Sequence, residues 1–157
     1  MTSPYPRLLL ASSLFWLTLL PACHRETDED NVKKVITKVR RSAEEKKIAS
    51  VLENISKTYR DPQGNDYDGI KGLLAFYFFR HQKIGVLIPN IDIVVTGPTA
   101  KATFQAILTG KGAGEATTSA VLPEALGAYD FEVLFKKEEG QWKVTSAKWE
   151  RAGEGQP

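Results

Sequence analysis

The sequence predicts an α+β domain, with helices covering one face of an antiparallel sheet, and three observations predict it. Apolar residues recur at helical spacing as far as about residue 81. From Ile84 onward they alternate at a period of two. The strand-like segments then follow one another without intervening helical runs, the order of a four-strand meander rather than of alternating βαβ units.

Val32, Val35, Ile36, Val39 and Ala43 share one face, ringed by Lys33, Lys34, Lys38, Arg40 and Arg41, so residues from about 30 to 41 form an amphipathic helix. The basic residues make a solvated face, with contact to anionic headgroups as the alternative. Ser42-Ala-Glu-Glu45 matches a capping box, and Ile48, Val51, Leu52 and Ile55 continue on a new helical face to about Thr58. Asp61 to Gly69 has the composition of a turn that ends in a helix cap, Asn65 or Asp66. A third helix carries Ile70, Leu73, Leu74, Tyr77, Phe78 and His81 on one stripe. Phe76 and Phe79 widen its apolar surface so far that it is expected to be largely buried.

Val86 and Ile88, then Ile91, Ile93 and Val95, alternate around Pro89, which predicts a bulge or strand break there. After a Thr96-Gly-Pro-Thr99 turn, Ala100, Ala102, Phe104, Ala106 and Leu108 alternate with polar residues in the next strand. A long Gly-, Ala- and Thr-rich loop is expected from Gly110 to Gly127. Tyr129, Phe131, Val133 and Phe135 form a strand with one wet face, and Lys136 to Gly140 turns it into the last strand. There Trp142 and Val144 have one parity and Trp149 the other, so a bulge is needed near Ser146.

The ends bound the location. Residues 1–22 hold one base, Arg7, and no acid, ahead of a largely apolar run from Leu8 to Leu20, which reads as a signal peptide. That run is short of the roughly 20 residues a spanning helix needs. The only cysteine, Cys23, follows Ala22, and "LTLLPACH" resembles the lipobox of bacterial lipoproteins, with Pro21 as a departure from its usual form. The resemblance implies a lipidated Cys23 bearing palmitate-type acyl chains, and hence a membrane partner through the anchor. His24 in the next position implies the outer membrane, facing the periplasm. The alternative is an ordinary cleaved leader and a soluble periplasmic protein. Residues 23–30 then form the anchor and a polar tether, 31–152 one domain, and 153–157 a tail. The mature chain has 20 basic and 19 acidic side chains, a balance that gives no electrostatic footprint for nucleic acid. With one cysteine, the fold holds no disulfide of its own.

The two N-terminal helices, the "ISKTYRDPQGND" segment entering an aromatic helix, and the ending "YDFEVLFKKEEGQWKVTSAKWERA" resemble bacterial members of the nuclear-transport-factor-2-like (SnoaL-like, cystatin-like) superfamily. The resemblance implies a strongly curved sheet wrapped around the helices as a cone with a pocket, and homodimers through the open sheet face. It also implies either a binding module or an isomerase-, dehydratase- or cyclase-type enzyme that moves a proton.

The residues themselves favour binding. His81 and Asp61 are the proton-transfer candidates, with Tyr59 or Tyr77 as hydrogen-bond donor. Each has a structural alternative: a histidine suits the negative end of a helix, and Asp61, like Asp66, suits a turn or cap. Asp92 and Asp130 alternate with apolar neighbours and point outward. Asp61, Gln63 and Asn65 have the oxygen spacing of a calcium loop, but Asp66 and Gly72 stand where glycine and glutamate are required. Gly110 to Gly114 lacks the ending of a phosphate loop, and two histidines with one cysteine give no zinc cluster. No metal or cofactor is implied. Tyr59, Tyr77, Phe76, Phe79, Trp142 and Trp149 are the candidate lining for a small apolar ligand, or else core.

Overall fold

The computed structural model describes residues 26–112 and 124–153. The expected leader, Cys23 and the end of the expected tail lie outside them, as does most of the expected loop. Helix α1, Asp28–Glu44, is longer than its periodicity suggested. Thr27 caps it: its hydroxyl accepts from the Asp30 N–H at 3.1 Å while the Asp30 carboxylate accepts from the Thr27 N–H at 3.0 Å, a reciprocal box.

The box expected at Ser42 does not form, because Ser42 lies inside α1 and uses its carbonyl to accept from the Lys47 N–H at 2.8 Å. Together with the Lys46 N–H on the Ala43 carbonyl at 3.0 Å and a positive φ of 57° at Lys46, this closes α1 as a Schellman turn. A lysine holds the position where glycine would have announced it. Helix α2, Ile48–Leu52, is also much shorter than expected. The chain leaves it to run along an open strand: Val144 N–H donates to Asn54 O at 2.9 Å, Ser56 N–H to Val144 O at 2.8 Å, and Arg60 N–H to Thr145 O at 3.0 Å. Pairing with a sheet edge satisfies three groups that a longer helix would leave bare.

Helix α3, Tyr67–Arg80, starts at Asp66, whose carboxylate accepts from the Gly69 N–H at 2.9 Å and is held below the ordinary aspartate range chiefly by that bond. The helix is not largely buried. Tyr67, Ile70, Leu74 and Phe78 pack inward, whereas Phe76, Tyr77 and Phe79 are 53%, 48% and 87% exposed.

The five strands are β1 His81–Leu87, β2 Asp92–Thr96, β3 Thr99–Gly112, β4 Glu124–Glu138 and β5 Gln141–Arg151. The break expected at Pro89 separates β1 from β2, which pair antiparallel with successive halves of β3, Val86 opposite Leu108 and Val94 opposite Lys101. β3, β4 and β5 pair consecutively, completing the curved antiparallel sheet. β3 and β4 extend to Gly112 and from Glu124, farther into the expected loop than its composition suggested. Gly97, at φ 57°, begins the two-residue turn between β2 and β3, and Glu139 and Gly140, at 49° and 80°, make the turn between β4 and β5.

The expected bulge falls at Thr145: Leu134 pairs with Ser146 and Phe135 with Val144. It restores the inward parity of Ala147 and Trp149. The inner face therefore reads Ala100, Ala102, Phe104 and Ala106 on β3, Phe131, Val133 and Phe135 on β4, and Trp142, Val144, Ala147 and Trp149 on β5. Val32, Val35 and Ile36 of α1 join the buried part of it in one core.

Candidate functional site

The sequence-derived candidates fall in four places. Asp61 is the centre of a closed knot. Its Oδ2 accepts from the Tyr59 hydroxyl at 3.0 Å and from Asn65 Nδ2 at 2.9 Å, and its Oδ1 accepts from the Asn65 N–H at 2.8 Å. Tyr59 is 2% exposed, and burial, followed by its bond to the Asp61 carboxylate, pushes its hydroxyl well above the ordinary tyrosine range. A phenol so held remains a donor to that one carboxylate. The knot fastens residues 54–65 along β5, where Gln63 Nε2 also donates to the Trp149 carbonyl at 3.4 Å.

His81 ends α3 as its C-cap and opens β1. Its carbonyl accepts from Lys46 Nζ at 2.8 Å, its ring stacks on Tyr77 with centroids 6.3 Å apart, and its buried Nδ1 has no hydrogen-bond partner among the described residues. Asp61 and His81 are not brought together.

Trp142 is buried, and its Nε1 donates to Asp28 Oδ1 at 3.1 Å, tying the start of α1 to the last hairpin. Trp149 ends a row of stacked rings across the inner sheet face, Phe104 to Phe131 at 5.3 Å and Phe131 to Trp149 at 6.4 Å. Phe76, Tyr77 and Phe79 project from the other side of α3.

A concavity among the described residues lies elsewhere, and none of the six aromatic candidates lines it. It is an open groove of about 700 Å³ between α2, the start of α3 and the β4–β5 hairpin. Ile48, Ala49, Leu52, Ile55 and Tyr67 form its apolar floor, and Glu53, Lys57, Lys71, Glu138 and Lys143 its charged rim. Its parts are fixed by local bonds. Lys57 Nζ sits 3.7 Å from the centre of the Tyr67 ring, Ser56 Oγ donates to Glu138 Oε1 at 2.8 Å, and Lys143 Nζ donates to the Glu53 carbonyl at 2.6 Å. The groove is open to solvent, and half of its lining residues are charged. It contains no histidine or cysteine, and no group of metal-ligating side chains occurs among the described residues. Such an arrangement can hold an apolar body and neutralise an anionic group.

Sequence reasoning missed this groove because its residues carry no local signature. Ile48, Leu52 and Ile55 read as a helix's core face, and Lys57 meets Tyr67 only because the chain doubles back through the Asp61 knot.

No protein-family model and no curated protein sequence matches the chain. Solved structures do. A nuclear transport factor 2-like superfamily protein from Salmonella enterica superposes with a TM-score of 0.67 at 13% identity, covering 82% of this chain and 96% of that one. A provisionally named scytalone dehydratase from Novosphingobium aromaticivorans gives 0.67 at 13%, covering 78% and 82%. A Bdellovibrio bacteriovorus protein gives 0.63 at 10%, covering 78% of this chain, which spans only 40% of the length of that protein.

Proposed function

We propose that, within the nuclear-transport-factor-2-like cone that its helices and curled antiparallel sheet form, the chain is a non-catalytic, lipid-anchored protein of the cell envelope that binds a small amphipathic ligand in the groove between α2, α3 and the last hairpin. One observation carries the binding role: an apolar floor of Ile48, Leu52, Ile55 and Tyr67 lies beneath a rim with Lys57, Lys71 and Lys143. An apolar body with an anionic head fits that pairing. The probe is 8-anilinonaphthalene-1-sulfonate, which has both parts. Its fluorescence is expected to rise and saturate at one site, to be abolished by Ala49→Trp, and to need roughly fivefold more probe with Lys71→Glu, the factor for about one exposed charge contact. Titration curves unchanged by both substitutions would refute the site.

Anchoring is supported by Cys23 behind its apolar run and by the short connection to the fold. Three residues separate Cys23 from the Thr27 cap, a reach of at most about 14 Å. Among the described residues no helix is long and apolar enough to cross a membrane. Radiolabelled palmitate is expected in the wild type and not in Cys23→Ala; equal labelling of both, or none in either, rejects the anchor.

The Tyr59–Asp61 bond and the dehydratase name among the structural neighbours favour a second reading, proton-transfer catalysis. We rank it below binding because both Asp61 oxygens are occupied from within the chain and the pair is buried.

A further inference from the structure

The outward face of α3 is inverted for a helix on a protein surface. At 100° per residue, Phe76 lies nearly opposite the buried Phe78, with Arg80 one turn beyond it and Phe79 and Tyr77 on its flanks. Exposed aromatic rings in such a cluster mark an interaction surface. The C-terminal end of this face is basic: between Asp68, in the first turn of α3, and Asp92 the chain has no acid, whereas Arg80 and Lys83 are present and exposed. The Arg80 guanidinium lies 5.3 Å from the Phe76 ring, so a cation and an apolar ring form one unit at the surface. α1 and α3 pack against the same side of the sheet. The solvent side of α1 carries Lys33, Lys34, Lys38 and Arg41, all exposed, together with the exposed Glu29, and Glu26 engages Lys34.

The convex sheet face is built differently. Lys101 pairs with Glu132, Gln105 with Asp130, and Lys148 with Glu150, so opposite charges and polar groups answer each other there.

We infer that the outward face of α3 docks on an anionic lipid surface, with Phe76, Tyr77 and Phe79 entering the headgroup boundary and Arg80 and Lys83 contacting the headgroups. Aromatic rings beside basic side chains are the chemistry of interfacial binding. A second copy of the chain is the poorer occupant: a two-fold contact through the Phe76–Lys83 end of this face would set Arg80 and Lys83 against their own copies, while Asp68, the one acid of α3, lies in its first turn, about 18 Å along the helix from Arg80. This inference is independent of the groove and of the Cys23 anchor.

The test uses the full chain carrying Cys23→Ser, with a nitroxide attached at Phe79→Cys or, as control, at Lys136→Cys on the convex side. Because the apolar leader can bind vesicles by itself, the readout is the local environment of the label rather than pelleting. With phosphatidylglycerol vesicles, the label at 79 is expected to gain oxygen collisions and lose collisions with a water-soluble nickel chelate, while the label at 136 stays water-like. Phosphatidylcholine vesicles should leave both in water. Arg80→Glu with Lys83→Glu should weaken the response at 79 by about tenfold or more. A label at 79 that remains in water with anionic vesicles overturns the proposal. So does dipolar coupling between labels at 79 in lipid-free protein that sediments as a dimer.

Discussion

Phe135 and Phe79 are the same side chain in regions that treat it in opposite ways. On β4, Phe135 is 1% exposed, inside the core between α1 and the sheet. On α3, Phe79 is 87% exposed, with Phe76 and Tyr77 beside it. The strand sorts its side chains by parity, so alternation with Glu132, Leu134 and Lys136 sends Phe131, Val133 and Phe135 to one side. The helix has too many aromatic residues for one stripe, and tertiary packing chose Tyr67, Ile70, Leu74 and Phe78 for the interior. Aromatic residues on the inner sheet face thus serve stability, and those on the outer face of α3 are free for something else.

The largest effect expected from this contrast is in stability. Phe135→Ala should cost about 3–5 kcal/mol, the usual penalty for emptying an aromatic site in a core, while Phe79→Ala should stay within about 0.5 kcal/mol. Urea unfolding of both variants measures it, and equal losses would erase the distinction.

Next in size is the polar knot that holds Tyr59 in the core. Asp61→Ala strands the Tyr59 hydroxyl and both Asn65 donors, and should cost about 2–3 kcal/mol. Amide exchange should report the loss first at Ser56 and Arg60, whose N–H groups pair with β5. Uniform weakening across the sheet instead would mean that the knot does not seal that edge.

The smallest effect concerns the Asp28 link to Trp142. The bond from Lys137, then that from Trp142, holds the Asp28 carboxyl below its ordinary 3.8. The folded chain therefore protonates this group less readily than the unfolded chain does. Its contribution is complete above that value and is lost as pH falls through the lowered one. The gap in urea midpoint between wild type and Asp28→Asn should be constant above about pH 5 and shrink below about pH 4. A gap that widens in acid would reverse the assignment.

Much of the architecture was legible. Period-two alternation gave β3, β4 and β5 their faces, and the parity clash between Val144 and Trp149 announced a bulge, which lies at Thr145. The turn at Gly97 follows from a residue free to take a positive φ, and the break at Pro89 from one whose φ is fixed and whose N–H is missing. Less legible were the limits of α1 and α2. Thr27 and Asp30 make a capping box as readable as that at Ser42 to Glu45, and only the whole fold decides which is used. The Schellman turn at Lys46 lacks its usual glycine. The end of α2 depends on β5, almost 90 positions later, where Val144 takes Ser56 as its partner.

Of the candidate residues, the neighbourhood of Asp61 and Tyr59 could be expected from their spacing of two, but not that Asn65 would complete the carboxylate's shell. The groove was invisible because Lys57, Tyr67 and Glu138 meet through a chain reversal that no local pattern encodes.

The segment laid along β5 has a further consequence. An unpaired outer strand invites a neighbouring molecule to add its own, the first step toward fibrils, and the hazard grows steeply when copies are confined to a plane. With residues 54–60 already bonded to Val144 and Thr145, that stretch of β5 is no template for polymerisation, and the β1–β2 side of the sheet is the edge a neighbour would have to extend.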